Sequence, residues 1–183
     1  MLNNEQKQIL LKIARETIET YIKTGKTPTF KINDRLLNEE YGAFVTLHKK
    51  GQLCGCIGNI IGTMPLWKTV RNMAIESATG DPRFSAVTEN ELEQIDIEIS
   101  VLTYPKRIKN IDEFHLGEHG VIIKRGFNQG VFLPQVAQET GWSKEEFLSS
   151  LCSHKAGLSP DAWKDKATEI RIFSAQVFRE KRN

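Results

Sequence analysis

Apolar residues near the N-terminus recur at helical spacing: Ile9, Leu10, Ile13, Ala14, Thr17, Ile18, Tyr21 and Ile22 fall on one stripe. Asn3 or Asn4 caps this helix and Gly25 stops it. An extended connector over 28–32 leads to a turn of helix through Leu36 and Leu37, capped by Asn33 or Asp34. An apolar run, Ala43-Phe44-Val45-Thr46-Leu47, then meets a turn at Lys49-Lys50-Gly51. Leu53-Cys54-Gly55-Cys56-Ile57-Gly58 completes a hairpin whose second strand runs into a glycine-bearing loop. Helical spacing returns at Leu66, Trp67, Val70, Met73, Ala74 and Ala78, with Thr63 as N-cap, Pro65 in the first turn and Gly80 as the stop.

The clearest strand covers 95–103, where Ile95, Ile97, Ile99 and Val101 alternate with Asp96, Glu98 and Ser100. Thr88 and Glu91 form a capping box ahead of it, and Tyr104-Pro105 ends it. A second hairpin pairs 119–124 with 130–133 across a loop at 125–129. Pro134 opens a short helix toward Gly141. Ser143 and Glu146 cap another, running through Phe147, Leu148, Leu151 and Cys152 to Gly157. A turn of helix at 159–163 precedes a last strand over 169–178. Hairpins with unevenly placed helices, and no βαβ rhythm, predict an α+β fold with a mostly antiparallel sheet flanked by helices.

Gly55, Gly58 and Gly62 lie within eight residues of one another. Each costs roughly 0.5–1 kcal/mol relative to alanine inside an element, so a bulge, a positive φ or a close approach is expected there. Cys54 and Cys56 are two residues apart and on a regular strand share a face. Any chemical site is expected in this stretch.

Composition narrows the function classes. The 183 residues make one domain, or two small subdomains sharing a core. The 25 basic and 23 acidic residues nearly cancel, which gives no electrostatic case for nucleic acid or an anionic membrane. The basic cluster at 179–182 reads as a solvated end. Three cysteines without framework spacing favour a reducing compartment. With no signal-like N-terminus and no apolar run near 18 residues, the expected location is cytoplasmic.

Several stretches occur in one order and spacing: Gly42-Ala43-Phe44-Val45-Thr46-Leu47, 53–58, Asp81-Pro82-Arg83-Phe84 and Ile97-Glu98-Ile99-Ser100-Val101-Leu102. Gly120-Val121-Ile122-Ile123, 130–136, Leu151-Cys152 and Lys155-Ala156-Gly157-Leu158 follow. Together they resemble the AmmeMemoRadiSam system protein A family, the AMMECR domain proteins, over nearly the whole chain, about residues 5–178. The resemblance implies an α+β fold with a larger and a smaller subdomain. It also implies two partners: a Memo-like protein, similar to non-haem iron dioxygenases, and a radical S-adenosylmethionine (radical SAM) enzyme. It carries no assigned reaction. The family's hallmark usually reads Leu-Arg-Gly-Cys-Ile-Gly; Cys54 stands here in the arginine's place, so an anion-binding role for that guanidinium does not carry over.

Cys56 is the leading candidate nucleophile, and Glu98 a candidate general base or cation ligand if its face borders a cleft. A free thiol has a pKa near 8.5, and lowering it to 7 takes about 2 kcal/mol, which a helix N-terminus near Thr63 and a nearby cation would supply. The bland reading is a small buried cysteine. Gly55 and Gly58 would let a ligand approach, and Arg83, with Asp81, would clamp a carboxylate or phosphate. His119 and Gln135 are further candidate ligand contacts. Cys54 and Cys56 lack the spacing and the second pair of a zinc site, so no metal and no cofactor is predicted. Two functions follow. One is an enzyme-like or modification-associated domain, acting through Cys56 on a small molecule or peptide segment in a pocket between the subdomains. The other is a non-catalytic adaptor with an exposed apolar patch near 130–136 and a buried Cys56.

Overall fold

Asn3 caps helix α1 (Asn4–Thr24) in a capping box with Gln6, and Gly25 closes it at φ +69°. Leu10, Ile13, Ala14, Thr17 and Ile18 of the predicted stripe are buried, with Leu11 beside them, while Ile9, Tyr21 and Ile22 are half-buried. A short 3₁₀ turn (Leu36–Asn38) leads to the hairpin of β1 (Gly42–Lys49) and β2 (Gln52–Asn59). Lys50 and Gly51 both take positive φ in its two-residue turn. Helix α2 (Leu66–Thr79) begins later than expected, with Pro65 rather than Thr63 as the cap. The capping box of Thr88 and Glu91 starts a 3₁₀ segment (Glu89–Gln94) that feeds β3 (Ile95–Leu102). The structure, a computed structural model, describes residues 1–180.

These elements, with the C-terminal residues from Gln176 on, make one compact unit; Thr103–Ala175 make a second. In unit 1, β1 pairs antiparallel with both β2 and β3. Ala43, Val45, Leu47, Ile95, Ile97 and Ile99 are buried in one cluster with the apolar residues of α1 and α2. Fully burying each aliphatic side chain contributes about 1.5–3 kcal/mol. The end of the last strand lies beside β3, and Arg15 ties the chain there, pairing with Glu180 at 2.5 Å and donating to the carbonyls of Leu92 and Ile95.

The strands of unit 2 also pair antiparallel, and the unit has its own cluster. It contains β4 (Lys106–Arg107), β5 (His119–Arg125) and β6 (Asn128–Phe132), together with most of β7 (Glu169–Arg179). β7 pairs with β4 and with β5, and β5 pairs with β6. The hairpin loop is tighter than expected, since the ladder continues to Arg125 and Asn128. Helices α3 (Gln135–Thr140) and α4 (Lys144–Ser150) follow, α4 passing into a π-helical turn (Leu151–Lys155). Phe147 centres the cluster, its ring 5.5 Å from that of Phe114 and 5.1 Å from that of Phe132. The architecture is α+β with an antiparallel sheet and packed helices. Among the described residues no helix is long and apolar enough to cross a membrane.

Candidate functional site

The 53–58 stretch lies within β2, and its glycines are set by packing. A Cβ on Gly55 would lie 2.0 Å from the Ser77 carbonyl oxygen of α2, and one on Gly58 2.3 Å from the Phe44 ring. Neither glycine has positive φ. The space at Gly55 lets α2 settle onto the hairpin. There the Ser77 hydroxyl accepts from the Ile57 N–H at 2.9 Å and donates to the Val45 carbonyl at 2.7 Å. One buried side chain thereby fastens helix to both strands.

A bulge decides where the cysteines point. The register shifts between Leu47 and His48, so Leu47 pairs with Gly55 and His48 with Leu53, leaving Cys54 as the extra residue. Cys54 packs against the apolar cluster, and burial pushes its thiol pKa up. Cys56 instead pairs with Thr46, which pairs with Glu98. Directly opposed residues share a face, so these three stand in a row on the face away from α1 and α2. The expectation that both cysteines share a face fails, because the extra residue breaks the period of two. The half-buried Cys56 sulfur lies 3.3 Å from the Thr46 hydroxyl.

Asp81 and Arg83 close the free edge of β2 around Cys56. The Asp81 carboxylate accepts the Cys56 N–H at 2.9 Å, and Arg83 donates to the Cys56 carbonyl at 3.0 Å. Between them the guanidinium grips the carboxylate through Nε at 2.9 Å and Nη2 at 2.7 Å. The pair thus acts as a short substitute for the next strand. Arg83, followed by the backbone N–H groups of Cys56 and Arg83, holds the buried Asp81 well below the usual carboxylate range against the cost of burial. The guanidinium is committed to this edge, although its side chain remains 56% exposed. The end of α2 beside Cys56 is its C-terminal, negative end. The helix end is therefore not the N-terminus expected near Thr63; the cation beside Cys56 is Arg83, which donates to its carbonyl.

Glu98 is buried and paired with Arg179. Both line an open cleft of about 540 Å³ with His48, Asp96 and Glu180. Arg179 is therefore engaged rather than a free part of a solvated end; residues 181 and 182 of that basic cluster lie outside the described residues. Cys56 and Arg83 do not line this cleft. Glu98 stands two strands from Cys56, about 10 Å at ordinary strand spacing, with Thr46 between them. His119 and Gln135 belong to unit 2. The His119 ring accepts the His115 N–H at 3.1 Å, and burial, then neighbouring His115, lowers its pKa. Gln135 is half-buried at the start of α3. Residues 130–136 are buried or half-buried, so the apolar patch expected of an adaptor is not exposed there. Among the described residues no group of three His, Cys, Asp or Glu side chains converges to hold a metal ion. Sequence reasoning missed Thr46 and Ser77, whose roles rest on the bulged register and on the approach of α2.

A family model described as AMMECR1 matches residues 11–178. A protein of Methanosarcina mazei is 42% identical, with 99% of this chain and 94% of the relative covered. Protein MK0488 of Methanopyrus kandleri is 42% identical, over 98% of this chain and 90% of its own length. Among solved structures, Uncharacterized Protein PH0010 from Pyrococcus horikoshii has the same fold, with a TM-score of 0.90 at 38% identity, covering 98% of this chain and 94% of that one.

Proposed function

The chain belongs to the AMMECR1 family, and from that premise we propose that it is a cytoplasmic, modification-associated domain whose reactive group is the Cys56 thiol. It acts on a small molecule or a peptide segment supplied with a Memo-like protein and a radical SAM enzyme. The observation that carries this reading is the bulge, which turns Cys56 out of the apolar cluster onto the face it shares with Thr46 and Glu98. Asp81 and Arg83 support it by clamping the Cys56 backbone, so the sulfur is held in one place. Preorganisation of this kind is what a nucleophile on a strand requires. Thr46 is the nearest partner for the thiol proton. Glu98, on the neighbouring cleft, is better placed to bind a polar or cationic part of a substrate than to deprotonate the sulfur.

The test compares Cys56→Ser and Cys54→Ser in a reaction reconstituted with the two partner proteins. Cys56→Ser is expected to lower turnover by about a hundredfold or more while leaving the melting temperature nearly unchanged, as loss of a covalent nucleophile does. Cys54→Ser is expected to leave turnover near that of the parent. Full turnover with Cys56→Ser would remove the catalytic role and leave the adaptor reading.

A further inference from the structure

We propose that unit 2 carries a separate binding site for a small organic anion, in the cleft between segments 107–111 and 163–170. The cleft is open and about 730 Å³ in volume, within the range of small-molecule sites. Its two walls are joined where the Ile108 N–H donates to the Ile170 carbonyl at 3.0 Å, and where Arg107 pairs with Arg171 across β4 and β7. The site therefore stands on strand backbone.

Charge gives the ligand its sign. Arg107, Lys109, Lys164 and Lys166 line the cleft against the single carboxylate of Asp165. Asp165 faces Arg125 at 2.9 Å, and Lys164 is held by Asp161 at 2.8 Å and Glu145 at 2.9 Å. Arg107 reaches Glu169 only at 3.9 Å. The side-chain ammonium groups of Lys109 and Lys166 have no ion-pair partner among the described residues, the Glu113 carboxylate accepting from Lys109 only its backbone N–H. Two unpaired cations and one loosely paired one thus share one concave surface, an arrangement that an incoming anion relieves.

The remaining lining asks for more than an inorganic ion. Ile108 and Ile170 are buried in the wall, and Trp163 adds a half-buried aromatic edge. Thr168, only 8% exposed, also lines the cleft, and its hydroxyl has no hydrogen-bond partner among the described residues. A buried hydroxyl is normally satisfied, so this one marks where a ligand oxygen would bind. The chemistry that fits is a carboxylate or phosphate head on an apolar or planar body.

The experiment uses the full chain, isotope-labelled, with backbone resonances followed by NMR. Phenyl phosphate, benzoate, inorganic phosphate and benzyl alcohol are titrated separately to about 10 mM, a range that detects weak sites. Saturable shifts confined to 107–111 and 163–170 are expected with at least one aryl anion, and the tighter of the two identifies the head group. Inorganic phosphate and benzyl alcohol are expected to bind about tenfold more weakly or not at all. The exposed pair Lys109→Ala with Lys166→Ala is expected to weaken the aryl anion by about tenfold, and Thr168→Val by about threefold. The absence of saturable shifts, equal binding of benzyl alcohol or inorganic phosphate, or unchanged affinity in either variant would overturn the proposal. The readout lies wholly in unit 2, so its failure leaves the Cys56 reading as it was.

Discussion

Gly55 and Cys56 carry the argument at the scale of single residues. Gly55 exists in this strand because the Ser77 carbonyl occupies the space a side chain would need. Gly55→Ala is therefore expected to lower stability by about 1–3 kcal/mol, the usual cost of overpacking, read as a shift in the urea midpoint at unchanged slope. An unchanged midpoint would mean that α2 can retreat from the hairpin at no cost. That some local reason held the glycines was legible in the sequence. Which reason was not, because the atom at fault lies twenty-two residues away in a helix. The same distance hid the role of Ser77. The departure at Cys54 from the family hallmark is clearer in the structure: the position is the extra residue of a bulge, packed against apolar neighbours. The structure offers no account of why cysteine in particular stands there.

The hairpin and the turn that locks it are the elements on which the site depends. Because the Asp81 pKa is lowered in the folded chain, its ion pair contributes stability above the ordinary aspartate value of about 4. That contribution is lost progressively as the pH falls below this value toward the folded-state pKa. Amide exchange at Cys56, corrected for its intrinsic pH dependence, is expected to lose protection over the same interval. Arg83→Ala is expected to cost about 1–3 kcal/mol by leaving a buried carboxylate without its cation, and to speed Cys56 exchange at neutral pH. Unchanged protection in that variant would show that the edge is held by something else. The alternation of β3, the capping boxes at Ser143 and Thr88, and the end of α1 were all readable from residue order. The second strand of the first hairpin and the glycine-bearing loop after it were readable too, since β2 ends at Asn59 and Gly62 lies between it and α2. The start of α2 was placed too early because Thr63 looks like a cap, whereas the chain enters the helix through Pro65.

Two apolar clusters, one in each unit, account for the whole molecule as a folded chain. Phe147 is fully buried among aromatic neighbours in the second, so Phe147→Ala is expected to cost about 3–5 kcal/mol, measured by chemical denaturation; a loss below about 1 kcal/mol would contradict that packing. Near-balanced charge was legible from composition, but its local imbalance in the cleft of unit 2 was not, since Arg107 and Lys166 meet only through the pairing of β4 with β7. The family was legible from the order of its motifs, and with it the fold. The reactive face was not, because it depends on a one-residue change of register. Its most direct test is the rate at which iodoacetamide modifies each cysteine in the native chain, mapped by mass spectrometry. Cys56 is expected to react about tenfold or more faster than Cys54, with Cys152 reacting only on unfolding. A Cys56 that reacts no sooner than Cys152, only as the chain unfolds, would contradict the account.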